Sequence, residues 1–94
     1  ITGGGLIENV PRIIPDGLCA DIDASTIKIP SVMLELEKRG NIAREEMYGT
    51  FNMGVGMVLV IDAQHAEKCL DLLADEGAYL IGEITEGEEK IQLK

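Results

Sequence analysis

At 94 residues the chain makes one domain at most, with room for only a small core. Hydrophobic residues are 46% of it, too many for a disordered tail, and the longest apolar run (57–61) is far short of the roughly 20 residues that cross a bilayer. Seventeen acidic against eight basic residues leave a net charge of −9, which argues against nucleic acid and anionic membrane as partners.

In chain order, Leu6, Val10, Ile13 and Ile14 recur at helical spacing behind three glycines. Pro11 has no N–H to give, so this first helix is expected to end or kink at Val10. Pro15-Asp16-Gly17 reads as a turn, and 18–22 as a short strand with Leu18, Ala20 and Ile22 on one face. Pro30 and Gly40 bracket a helix over about 31–39, and 41–51 a short helix or turn. Gly54 and Gly56 lead into 57–61, whose length and β-branching predict a central strand covered on both faces. Asp62 is the expected N-cap of a helix over 63–76, with Ala66, Cys69, Leu70 and Leu73 as its apolar stripe and Gly77 as its stop. Residues 78–84 and 90–93 alternate as strands, joined through the acidic turn 86–89 as a hairpin. Interleaved helices and strands make the class α/β or α+β.

Few residues offer chemistry. Gly3-Gly4-Gly5 opens a helix at a high cost in chain entropy. Either the bare backbone N–H groups meet a phosphate, with the Thr2 hydroxyl beside them, or the loop simply lets a helix pack closely. The pattern is neither GxGxxG nor a P-loop. Residues 46–57 read as turn chemistry, with Asn52 suited to a left-handed position. His65 has no orienting partner in the sequence and reads as solvated. Glu45-Glu46, Asp75-Glu76 and Glu88-Glu89 read as water-facing pairs. Met33, Met47, Met53 and Met57 read as core fillers, and the aromatics Tyr48, Phe51 and Tyr79 are too scattered to stack bases. Cys19 and Cys69 read as reduced, buried thiols of a cytoplasmic protein. No Ser-His-Asp, Cys-His or zinc spacing occurs, so no catalytic or metal-ligating residue is assigned.

These motifs carry a resemblance over essentially the whole chain. Ile1-Thr2-Gly3-Gly4-Gly5-Leu6-Ile7-Glu8-Asn9-Val10-Pro11-Arg12 is similar to the aminoimidazole ribonucleotide synthetase (phosphoribosylformylglycinamidine cyclo-ligase) family. So are Glu46-Met47-Tyr48, Thr50-Phe51-Asn52, Gly54-Val55-Gly56-Met57 and the closing Ile81-Gly82. Gly49 stands where the family usually has Arg, Met53 where it often has Cys, and Ile27 and Ile29 replace aromatic residues. The resemblance implies an α+β fold, a two-layer mixed sheet with helices on one face. Residues 1–94 would then be a partial C-terminal domain of a two-domain, ATP-dependent enzyme of purine synthesis, inert alone. It implies that ATP and Mg2+ bind mainly to an N-terminal ATP-binding domain, which also forms a homodimer. It implies a phosphorylated small-molecule substrate held here by Thr2, Gly3, Gly4 and Gly5, with Arg12 and Asn52 as secondary candidates. The competing expectation is a free-standing acidic module that senses a ligand or binds a partner without catalysis.

Overall fold

The computed structural model describes all 94 residues. Helix α1 (Gly5–Asn9) passes into a 3-10 turn over Val10–Ile13. Pro11 stands at the start of that turn, where its missing N–H breaks no helical bond. The helix therefore ends where the proline predicts. Helix α2 (Ser31–Gly40) is followed by α3 (Arg44–Thr50). Asn41, not Gly40, takes the left-handed position (φ 50) that stops α2. The Ile42 N–H reaches back to the Glu37 carbonyl (3.0 Å), which closes the last turn. Arg44 then clamps Glu37 through Nε and Nη2, the latter at 2.8 Å, bracing the joint between the helices.

The sheet is mixed and three-stranded, and the α+β class is the one expected. β1 (Leu18–Ile22) lies between two strands from the far end of the chain, β2 (Gly82–Glu86) and β3 (Ile91–Leu93). β2 runs antiparallel to β1 with Leu18 opposite Glu86, and β3 runs parallel with Ala20 opposite Ile91. The expected hairpin is thus overturned: β2 and β3 never pair. Residues 87–90 step across the start of β1, held by Gly87 N–H to Gly17 O (3.1 Å) and an ion pair from Lys90 to Asp16 (3.0 Å). The reason lies in β1, whose Cys19, Ala20 and Ile22 are all buried. A central position pairs the backbone N–H and C=O groups on both edges of this buried strand, while β2, with Glu83 and Glu86, tolerates an edge.

Leu6, Met47 and Met53 are wholly buried and join Val10, Ile14, Ala20, Ile22, Ile27, Tyr48 and Val55 in the core. Met47 and Met53 fill the core as expected, but Met57 is 79% exposed. Cys19 is buried and Cys69 only half so. The expected helix over 63–76 is a 3-10 turn, then α4 (Ala66–Leu72), then another 3-10 turn ended by Gly77 at φ 74. Its stripe is correct, since Ala66, Cys69, Leu70 and Leu73 are the half-buried positions. Asp62 makes no side-chain cap; it faces His65 instead at 3.8 Å. The largest correction concerns 57–61, which forms no strand: Val58 is half-buried against the core, and Met57, Leu59, Val60 and Ile61 are exposed. A buried strand needs ladder partners on both edges, and all the strands formed here are committed to β1. The strand expected over 78–84 likewise begins only at Gly82. Tyr79 ties the segment before it to the 27–30 loop, accepting the Lys28 N–H at 3.1 Å.

Candidate functional site

The glycine run builds a loop in which each glycine has a different reason to be there. The Gly5 N–H bonds the Thr2 carbonyl at 3.0 Å, closing a turn. Gly4 caps α1 at φ 92, a conformation that disfavours side chains. Gly5 is buried at φ 61, and a Cβ there would fall within 3.0 Å of the Tyr48 and Phe51 carbonyl oxygens. That close approach packs α1 onto α3. Gly3 is exposed, its φ is ordinary, and nothing lies within 4 Å of where its Cβ would be. Neither the Gly3 nor the Gly4 N–H has an acceptor within the chain.

Asn9 holds this loop together and was missed by the sequence reading. Its Nδ2 lies 2.8 Å from the Gly5 carbonyl and 3.3 Å from those of Thr2 and Gly3. Its Oδ1 accepts from the Thr2 hydroxyl (3.3 Å) and from Arg12 Nη1 (3.4 Å). Asn9 thus gathers the carbonyls of Thr2, Gly3 and Gly5, while the Gly3 and Gly4 N–H groups keep no partner within the chain. The signal available was its position: Asn is a poor helix former, and it sits four residues after Gly5 at the end of a helix. Arg12 is exposed and joins the loop only through Asn9.

Two motifs fifty residues apart in sequence meet at one open cavity of about 230 Å3, lined by Ile1, Thr2, Gly3, Met33, Thr50, Phe51 and Asn52. The Ile1 nitrogen donates to the Gly56 carbonyl (2.5 Å), laying the two motifs together. Thr2, Gly3 and Asn52 therefore share a wall, whereas Gly4, Gly5 and Arg12 lie outside it. Asn52 turns the chain: its Oδ1 accepts the Gly54 N–H and its carbonyl the Val55 N–H, both at 2.9 Å. The left-handed positions fall on Met53 (φ 53) and Gly54 (φ 92), not on Asn52 as the sequence reading had it. The volume is below the roughly 300–1,000 Å3 of sites for drug-sized ligands, and suits one polar group rather than a whole nucleotide.

No side chain lining this cavity is an acid or a base. The carboxyls with depressed pKa lie elsewhere: the Ser25 hydroxyl and N–H lower that of Asp23, and Arg44 lowers that of Glu37 while its own is raised. His65 is exposed beside Asp62, and all three acidic pairs face water. No three His, Cys, Asp or Glu side chains converge where they would hold a metal ion. With no acid or base in its lining, what the cavity can do is bind and orient.

Residues 1–94 match the family described as AIR synthase related protein, C-terminal domain. Similar proteins carry the name phosphoribosylformylglycinamidine cyclo-ligase. One from Bifidobacterium longum subsp. infantis is 55% identical over 87 residues, covering 90% of this chain and 25% of that protein. One from Staphylococcus carnosus is 49% identical over 92 residues (96% and 27%), and one from Chromobacterium violaceum 45% over 98 (99% and 28%). The chain spans about a quarter of the length of the curated relatives it matches.

Proposed function

Since the chain belongs to the AIR synthase related C-terminal domain family, we propose that it is the substrate-side part of a phosphoribosylformylglycinamidine cyclo-ligase of purine biosynthesis. In that reaction ATP activates the formyl oxygen of formylglycinamidine ribonucleotide. An internal amine then attacks the activated carbon and closes the imidazole ring, giving aminoimidazole ribonucleotide, ADP and phosphate. The ribose phosphate of the substrate sits in the cavity, on the free N–H group of Gly3, with the Thr2 hydroxyl and the Asn52 amide beside it. Gly5 and Asn9 keep the loop in shape, and Arg12 adds positive charge at its edge. ATP and Mg2+ belong to an N-terminal domain of the same polypeptide, which also forms the homodimer, and the enzyme works in the cytoplasm.

The observation that carries this reading is the meeting of Thr2 and Gly3 with Asn52 at one cavity. An anchored phosphate supplies binding energy remote from the reacting atoms, which is then used to align them. The test is ring closure by the polypeptide that carries these residues. Gly3→Val adds bulk where only a ligand would object, so KM for the ribonucleotide should rise about tenfold or more, with kcat changed much less. An unchanged KM refutes the reading. The 94-residue chain assayed by itself should form no product, and measurable turnover would refute the division of labour.

A further inference from the structure

The cavity shared by Thr2, Gly3 and Asn52 has a hydrogen-bonding polarity that the chain fixes from behind. Carbonyl oxygens only accept, so the Asn9 atom that meets those of Gly5 (2.8 Å), Thr2 and Gly3 (both 3.3 Å) is the amide nitrogen, and Oδ1 faces the other way. There it meets the Thr2 hydroxyl at 3.3 Å. An amide oxygen has no proton to give, so the hydroxyl donates its own and keeps its lone pairs for the cavity. Asn52 is fixed in the opposite sense. Its Oδ1 accepts the Gly54 N–H (2.9 Å), which leaves Nδ2 as a donor with no acceptor in the chain. The Gly3 N–H is likewise a free donor. One wall thus sets two donors, Gly3 and Asn52, beside one acceptor, Thr2, and no charged side chain lines it.

We infer that Thr2 reads a ring hydroxyl of the bound ribose, accepting a hydrogen bond from it, so that the site selects a phosphorylated sugar with its hydroxyls intact over a bare phosphate; this rests on the phosphate reading proposed above. A phosphate dianion carries acceptors only. It is matched by Gly3 and Asn52 and opposed by the lone pairs of Thr2, whereas a sugar hydroxyl beside the phosphate supplies the proton that Thr2 has given to Asn9. Charge points the same way. With no cation in the lining and a net charge of −9 on the chain, recognition falls to neutral hydrogen bonds, whose worth depends on direction. A site that hydrogen-bonds a substrate hydroxyl discriminates against the analogue lacking it, because its own polar group is then left unpaired. Thr50 lines the same cavity, but its hydroxyl has no partner in the chain and turns freely, so it imposes no such polarity.

The test uses two competitive inhibitors of ring closure by the polypeptide that carries these residues: methyl ribofuranoside 5-phosphate and its 2,3-dideoxy counterpart. Phosphate and ring are the same in both, and only the hydroxyls differ. The parent should bind the ribo compound about three- to tenfold more tightly, the worth of one neutral hydrogen bond. Thr2→Val, which keeps the shape and loses the hydroxyl, should abolish that preference while leaving the inhibition constant of the dideoxy compound within about twofold. Thr2→Ser should keep the preference, and so should Thr50→Val. Thr2→Val weakening both compounds equally would show the hydroxyl serving the phosphate and overturns the inference. Equal binding of the two by the parent overturns it as well, as does a preference lost in Thr50→Val and kept in Thr2→Val. Gly3→Val separates the two levels of the argument. If it weakens both compounds while Thr2→Val leaves their ratio unchanged, the phosphate reading stands and only the role of Thr2 falls. If neither compound inhibits the parent, both fall.

Discussion

Replacing Gly5 by alanine tests how the glycine loop is held. The new Cβ would lie closer than 3.0 Å to the carbonyl oxygens of Tyr48 and Phe51 and 3.3 Å from the Phe51 carbonyl carbon. These are backbone atoms of α3 and its cap, so no rotamer change relieves the overlap; α1 must move away from α3. Overpacking of this kind costs about 1–3 kcal/mol. The φ of 61 adds about 1 kcal/mol for any residue with a Cβ. The sum is about 2–4 kcal/mol, a large part of the roughly 5–14 kcal/mol expected for a domain of this length. At about 4–8 °C per kcal/mol the melting temperature should fall by about 10–30 °C. Gly3→Ala is the control: its Cβ meets nothing, so stability should stay within about 0.5 kcal/mol of the parent. Thermal and urea unfolding followed by circular dichroism measure both. The packing argument is refuted if Gly5→Ala melts within about 3 °C of the parent, or if Gly3→Ala falls as far as Gly5→Ala.

Gly49 lies inside α3 at ordinary φ with open space at its Cβ position, so Gly49→Ala should raise stability by about 0.5–1 kcal/mol in urea unfolding. Met53 is wholly buried at φ 53; Met53→Ala should cost about 2–5 kcal/mol. Met53→Gly should be no worse by the same assay, because glycine accepts the left-handed backbone that alanine resists. Asn9→Ala should cost about 1–2 kcal/mol and speed amide exchange at Gly5. Arg44 lowers the Glu37 pKa, so the pair stabilises the fold above the ordinary Glu range and loses that contribution as pH falls through the lowered folded value. Thermal melts between about pH 7 and pH 3 should therefore show the parent's advantage over Glu37→Gln shrinking below about pH 4.5.

What was legible in the sequence was local. Pro11 ends α1, Gly77 stops the helical segment after Leu73, and the stripe Ala66, Cys69, Leu70, Leu73 faces inward, because each depends on residues within a turn or two. What was not legible was pairing. Residues 82–86 and 91–93 look like a hairpin because few residues separate them, yet both add to β1, some sixty residues earlier in the chain. The burial of Cys19, Ala20 and Ile22 decides that, and no window short enough to show a turn contains both partners. The same limit explains 57–61: composition signals a buried strand, but burial is a property of what lies alongside, and here no strand does.

The candidate site was half legible for a related reason. Three adjacent glycines looked like one feature with one purpose, yet Gly5 answers to the α3 backbone and Gly4 to the left-handed cap. Gly3 alone has neither reason: its φ is ordinary, its surroundings are open, its N–H is free, and it faces the cavity shared with Asn52. A glycine that the fold does not require is where a ligand's demand on the backbone would be felt. Substitution at Gly5 therefore reports on packing and substitution at Gly3 on binding. A Gly3 variant that folds normally but binds the ribonucleotide poorly would separate the two reasons that the sequence runs together.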